Sequence, residues 1–175
     1  REKFDPALLL FRKQGEYLSE IPRDVELISS RRLATGSLIE RAIDMRKIIK
    51  MKKPHIILSK LVGGNMPSLF AHMSFPKWER PKLVVTACNN PMSYSNSVNR
   101  KIRFFYPKSD QVIAVSDGVR EYLSRNTPIP AEKITVVHDA VDVDEVRRKA
   151  GQQIYHKWFD SKHPLILAIG RIVPQ

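Results

Sequence analysis

Four short stretches of the sequence combine side chains and backbone freedom that suit an anionic or polyhydroxyl ligand. Ser59-Lys60-Leu61-Val62-Gly63-Gly64-Asn65 sets two glycines ahead of a helical pattern. There, backbone N–H groups can approach an anion or a sugar closely, and Lys60 adds charge. A Gly-Gly pair taken alone favours the plainer reading, a flexible turn beside a solvated lysine, and G-x-x-x-x-G-K-[ST] is absent. Cys88-Asn89-Asn90-Pro91 offers two adjacent amides whose donors and acceptors match sugar hydroxyls; the same residues are also ordinary turn chemistry, and the two readings balance. In Ser116-Asp117-Gly118 the serine is first a helix cap, as either acid of Asp139-Ala140-Val141-Asp142 could be. Cys88 reads as a small buried hydrophobe rather than a nucleophile. The five histidines show no metal-ligand spacing, so no metal site is expected; His138, at a strand end, is a weak functional candidate.

These stretches have a common place because of the elements around them. Short Val-, Ile- and Leu-rich runs cover Pro6–Phe11, Asp24–Ser29, Pro54–Ser59, Lys82–Ala87, Gln111–Val115, Lys133–His138 and Pro164–Ile169. Each is continuous rather than alternating, as expected for strands buried on both faces of a parallel sheet. Between them lie amphipathic helices. One has an apolar face of Leu38, Ile39, Ala42, Ile43, Met45, Ile48 and Ile49, opened by a Ser37/Glu40 capping box and closed by Lys50, Lys52 and Lys53. Others are expected from near Asn65 with Pro67 in the first turn, and over about 96–106, 116–125 and 143–158, Gly151 weakening the last. Strands alternating with helices predict an α/β fold: one doubly wound, seven-stranded parallel sheet with helices on both faces. Ligands of such sheets bind at the carboxyl ends of the strands, where Lys60, Gly63, Gly64, Asn89, Asn90 and Ser116 all fall.

Composition narrows the classes further. Hydrophobic residues form 42% of 175, ordinary for a globular domain, and no apolar run approaches a membrane span. With a single cysteine no intrachain disulfide can form, which fits a reducing, cytoplasmic setting. The net charge of +12 is uneven: residues 1–53 carry 13 basic and 8 acidic groups, residues 54–109 carry 8 and 1, and the remainder 9 and 9. Such a basic first two-thirds suits an anionic partner, whether nucleic acid, anionic lipid or a phosphorylated ligand. The basic-aromatic stretch 99–108 could face lipid or nucleic acid. Read plainly, it is a surface helix with Ile102 and Phe105-Tyr106 turned inward.

From residue 109 onward the pattern is more specific. Ser109-Asp110-Gln111-Val112-Ile113-Ala114-Val115-Ser116, then Pro130-Ala131-Glu132-Lys133-Ile134-Thr135-Val136-Val137-His138-Asp139-Ala140-Val141-Asp142, then Pro164-Leu165-Ile166-Leu167-Ala168-Ile169-Gly170-Arg171 resemble the strings of family-4 retaining glycosyltransferases of GT-B fold. Asn89-Asn90-Pro91 and the Gly63-Gly64 loop are similar to members that extend lipid-linked saccharides. The resemblance implies a Rossmann-like acceptor-side domain over residues 1–140 without its first strand, a connection over 141–162, and the first strand of a truncated donor domain over 163–175. It implies that Arg171, with Gly170, contacts the diphosphate of a UDP- or GDP-linked sugar co-substrate. No other cofactor is expected. The implied acceptor is a saccharide or lipid-linked hydroxyl, at a cytoplasmic membrane face in anionic lipid, with nucleic acid disfavoured as a partner. Ala87-Cys88 stands where many relatives carry Glu-His, and Asp139-Ala140 replaces Asn-Gly, so no catalytic residue is assigned. The rival readings are a non-catalytic basic binding module and a GT-B-like sugar-nucleotide epimerase.

Overall fold

The β-branched and leucine runs become six short strands: β1 (Ala7–Leu9), β2 (Glu26–Ile28), β3 (Ile56–Lys60), β4 (Lys82–Ala87), β5 (Gln111–Ala114) and β6 (Ile134–Val136). Their helices are α1 (Arg31–Thr35), α2 (Leu38–Lys52), α3 (Val62–Met73), α4 (Asn96–Phe105), α5 (Asp117–Asn126) and α6 (Val143–Ala150). The computed structural model describes residues 4–89, 94–153, 155–159 and 164–170. The chain forms two units, Arg1–His138 and Asp139–Gln175.

In the first unit every strand pairing is parallel, and α-helices connect the successive strands from β2 to β6, while a short 3-10 turn, Glu16–Glu20, lies between β1 and β2. The α/β class read from alternating runs is therefore the observed one. The single sheet is not: β1 pairs with β2, while β3-β4-β5-β6 form a separate sheet. The larger sheet packs on a core that includes Leu69, Leu83, Val85, Ile102, Val112 and Leu123. A second apolar cluster of Leu33, Met45, Ile49, Ala71 and Phe75 touches both sheets, with Leu9 of β1 and Ile57 of β3 packed against it. Yet β1 and β3 share no ladder, and no described strand lies between them. Ile56 and Leu58 consequently stand 58% and 66% exposed on the outer strand β3, so that run is not buried on both faces. β4 and β5 do match the buried reading, with Leu83, Val85, Val112 and Ala114 at 0% exposure.

Helix boundaries follow local chemistry. In α2, Ser37 Oγ accepts from Glu40 N at 3.3 Å and Glu40 Oε2 accepts from Ser37 N at 2.8 Å, the full capping box. These bonds pull the Glu40 carboxyl below its ordinary pKa. In α4, Ile102 and the following Tyr106 are buried while Phe104 is exposed beneath Lys108. The plain reading thus holds for Ile102 and Tyr106.

The second unit departs from expectation. α6 stops at Gly151 instead of running to residue 158, since glycine is a poor helix former and no described apolar partner buries the later turns. Asp142, not Asp139, caps it through Glu145 N at 2.9 Å. The run Pro164–Ile169 has no strand assignment: a strand needs a neighbour to satisfy its N–H and C=O groups, and none is described beside it.

Replacing Ser37 with Ala removes one half of the capping box and should cost about 1 kcal/mol of stability, measured by urea unfolding of wild type and S37A.

Candidate functional site

Parallel registry gathers the carboxyl ends of four strands into one rim. Lys60 lies opposite Thr86, and Ala87 opposite Ala114. Beyond the ladders, Val115 N donates to Ala87 O at 3.4 Å and Val137 N to Ala114 O at 3.0 Å. Lys60, Cys88-Asn89, Ser116 and His138 therefore end neighbouring strands. His138 Nδ1 sits 3.2 Å from Val115 O, an interaction that orients the ring along the rim.

The glycine pair is placed differently from the sequence expectation. α3 begins at Val62, not near Asn65, so Gly63 and Gly64 form its first turn and Pro67 falls in the second. Leu61 takes φ 65° and ψ 150°, a conformation uncommon for a residue with a side chain, and turns the chain from strand to helix at one residue. Leu61 O then accepts from Gly64 N (3.1 Å) and Asn65 N (2.8 Å). No side chain caps this helix, so its amino end presents backbone N–H groups and the positive end of the helix dipole to the rim. A Cβ on Gly63 would meet nothing within 4 Å; the space over it is open.

A buried polar cluster holds this turn. Asn65, with 0% exposure, donates from Nδ2 to Thr86 O (2.9 Å) and to Tyr106 Oη (2.7 Å), and accepts at Oδ1 from Ser59 Oγ (2.7 Å). Ser68 donates to Gly64 O at 2.8 Å, with its Oγ 3.2 Å from Ser59 Oγ. One amide thus ties α3 to β3, to β4 and to the residue that ends α4. Leaving any of its buried partners unsatisfied costs about 1–3 kcal/mol. Burial pushes the Tyr106 hydroxyl up to about 12, against the smaller downward pull of its bond with Asn65. Neither Asn65 nor Tyr106 is conspicuous in the sequence. For Asn65 the signal is its pairing with Ser68, three apart in a helix whose other polar side chain is His72.

The other expected residues distribute as follows. Asn89 lies on the rim and hydrogen-bonds the half-buried Tyr94, whose hydroxyl burial raises and this bond partly lowers. Ser116 caps α5 by accepting from Val119 N at 3.3 Å, a bond that leaves its own hydroxyl proton unused. Cys88 is half-buried, its Sγ 3.8 Å from Thr86 O, rather than a fully buried hydrophobe. Asn90 and Arg171 lie outside the described residues. Gly170 is exposed, without regular structure, in the second unit. Lys60, Gly63, Gly64, Asn89 and Ser116 therefore share one rim. Among the described residues no group of three or more His, Cys, Asp or Glu gathers as metal ligands.

Comparison with known proteins places the chain among sugar transferases. The family model described as Glycosyltransferase Family 4 matches residues 4–145. The N-acetylgalactosamine-N,N'-diacetylbacillosaminyl-diphospho-undecaprenol 4-alpha-N-acetylgalactosaminyltransferase of Campylobacter jejuni is 29% identical over 121 residues, 65% of this chain and 32% of that protein. The chain thus spans about a third of that relative's length. A glycosyltransferase from Rickettsia africae superposes with a TM-score of 0.59 at 22% identity, over 85% of this chain and 38% of that one. Anabaena HepE, solved with UDP and glucose, superposes with a TM-score of 0.62 at 14% identity, over 83% and 42%. At these identities the two structures establish a shared fold.

Two consequences are measurable. Because the folded pKa of Tyr106 is raised, its share of stability is complete below pH 10 and is lost as pH climbs through about 12. Tyr106→Phe should flatten that fall while lowering stability near neutral pH, both read by unfolding midpoints across the alkaline range. Gly63→Ala adds a better helix former where nothing is in the way, and should raise stability by about 0.5–1 kcal/mol in the same assay.

Proposed function

The chain belongs to glycosyltransferase family 4, and we propose that it forms the acceptor-side part of an enzyme that moves a sugar from a nucleotide-diphosphate donor to a hydroxyl acceptor with retention at the sugar carbon. The observation that carries this reading is the rim where Lys60, Asn89 and Ser116 end adjacent parallel strands beside the uncapped amino end of α3. Amide, hydroxyl and ammonium groups on one edge, with open space over Gly63, suit a polyhydroxyl acceptor bearing negative charge.

The acceptor class we favour is a saccharide carried on a lipid diphosphate, in keeping with the diphospho-undecaprenol in the name of the Campylobacter relative. The basic first two-thirds of the chain suits a partner embedded in an anionic membrane surface. Among the described residues no helix is long and apolar enough to cross a membrane. The donor in this reading is UDP- or GDP-linked; HepE, of shared fold, was solved with UDP. Arg171, beside Gly170, is our assignment for the departing diphosphate. A guanidinium's paired N–H donors fit phosphate oxygens, and a fixed cation stabilises charge as it develops on the leaving group. Lys60, Gly63, Gly64, Asn89, Asn90 and Ser116 are assigned to the acceptor.

In the whole enzyme, Lys60→Ala and Asn89→Ala should each raise the acceptor KM at least tenfold and leave the donor KM within twofold, measured by sugar transfer at varied concentrations of each substrate. Tenfold corresponds to about 1.4 kcal/mol. Unchanged acceptor KM in both variants would remove the rim from the acceptor site.

A further inference from the structure

The other end of the larger sheet carries a second concentration of chemistry. Lys82 opens β4, Asp110 immediately precedes β5 and Lys133 immediately precedes β6. They line a cavity of about 310 Å³ together with Lys77, Arg80 and Lys108. All lie at the amino ends of the strands, opposite the rim that carries Lys60, Asn89 and Ser116.

Five cations face one carboxylate in this cavity. Asp110 is already engaged: its Oδ1 accepts from Lys82 at 3.0 Å and its Oδ2 from Leu83 N at 2.9 Å. Two other cations are held by neutral acceptors that fix position without cancelling charge. Lys133 Nζ donates to Ser109 O (3.0 Å) and Pro107 O (3.3 Å), and Arg80 donates to Phe75 O (2.8 Å) and Met73 O (3.3 Å). Lys108, which also lines the cavity, has its Nζ over the ring of Phe104 at 5.0 Å.

At the back of the cavity is His72, its side chain 4% exposed. Its Nε2 stands 3.5 Å from Asp110 Oδ2 and the Pro81 backbone also interacts with the ring, but neither ring nitrogen has a close, well-aligned hydrogen-bond partner. Buried polar groups without partners are rare, and they mark places where a ligand or water completes the set. Burial, with the neighbouring Arg80 charge, holds the His72 pKa below its usual value despite Asp110, which favours the neutral ring with its one N–H donor.

We propose that this cavity binds a compact, multiply charged phosphate group, coordinated by Lys77, Arg80, Lys82, Lys108 and Lys133 with His72 as the buried donor. A single carboxylate carries too little charge to satisfy five converging cations, whereas a phosphate or diphosphate offers more charge and several acceptor oxygens. The group can come from a soluble phosphate compound or from a lipid headgroup. Trp78, next to Lys77, and Phe104, beneath Lys108, are exposed apolar side chains, which is compatible with the second source.

The test uses the whole chain and inorganic pyrophosphate as probe. Calorimetric titration should give saturable one-to-one binding, with the His72 ring resonances shifting at saturation in proton NMR. The double variant Lys77→Ala/Lys108→Ala should weaken binding at least tenfold. The pair Arg100→Ala/Lys101→Ala removes the same charge from exposed positions of α4 outside the cavity, and should stay within threefold of wild type. Equal weakening in both pairs, or unmoved His72 resonances, would mean diffuse attraction and overturn the site, as would a wild type that does not bind. Vesicles containing phosphatidic acid, whose phosphomonoester can carry more than one charge, identify the source. Release of bound protein by saturating pyrophosphate assigns the cavity to a headgroup, and retention, or no binding to the vesicles, assigns it to a soluble phosphate. This outcome does not depend on the acceptor KM measurements, so the cavity and the acceptor rim can fail separately.

Discussion

One buried amide organises the candidate site. Asn65 makes three hydrogen bonds, at 2.7, 2.9 and 2.7 Å, to Ser59, Thr86 and Tyr106, and it has no exposure to water. Those partners belong to β3, to β4 and to the end of α4. A group so placed has no alternative partner if the elements separate, so the network disfavours partial rearrangements more than an apolar contact of equal area would. It also explains how α3 can hold two glycines, which are poor helix formers, in its first turn behind a leucine cap in an uncommon backbone conformation. The helix is fixed one turn later, and its amino end is held at the rim without a capping side chain.

From that constraint follows the arrangement of charge. Because every strand of the larger sheet points the same way, its two ends differ chemically. The carboxyl ends carry helix amino termini, amides and Ser116, suited to hydroxyls and to partial charge. The amino ends carry lysines and arginine around Asp110. There, burial raises the Asp110 carboxyl, but the Leu83 N–H and the Lys82 ammonium outweigh it and hold the carboxyl below its usual range. The single acid is thereby kept charged as the anchor of its cluster while the remaining cations stay in excess.

The larger sheet thus has two chemically distinct ends rather than a uniformly basic surface. Sequence charge alone, +7 over residues 54–109, gave no direction to that excess. The strand register supplies it: Lys60 and Lys82 bracket the β3–β4 pair at opposite ends, although they are separated by one helix in the sequence. A partner approaching one end meets a different surface from one approaching the other.

Much of this was legible without coordinates. The strands β3 to β6, the capping box of α2 and the cap of α5 were readable because their signals are local: a run of branched side chains, or a serine three residues before its partner N–H. The rim was readable because parallel strands joined by helices must finish at the same edge. What depended on distant contacts was not. Two sheets appear in place of one because hydrogen-bond pairing joins residues far apart in the chain, and the glycines entered α3 because Asn65 found Thr86 and Tyr106, 21 and 41 positions away. The run Pro164–Ile169 has the composition of a strand, but composition supplies no neighbour to bond with. Sequence by itself determined which segments could be strands or helices and which side chains their ends would carry. The tertiary structure alone decided which polar atoms are buried together, since that depends on the meeting of surfaces that no local propensity encodes.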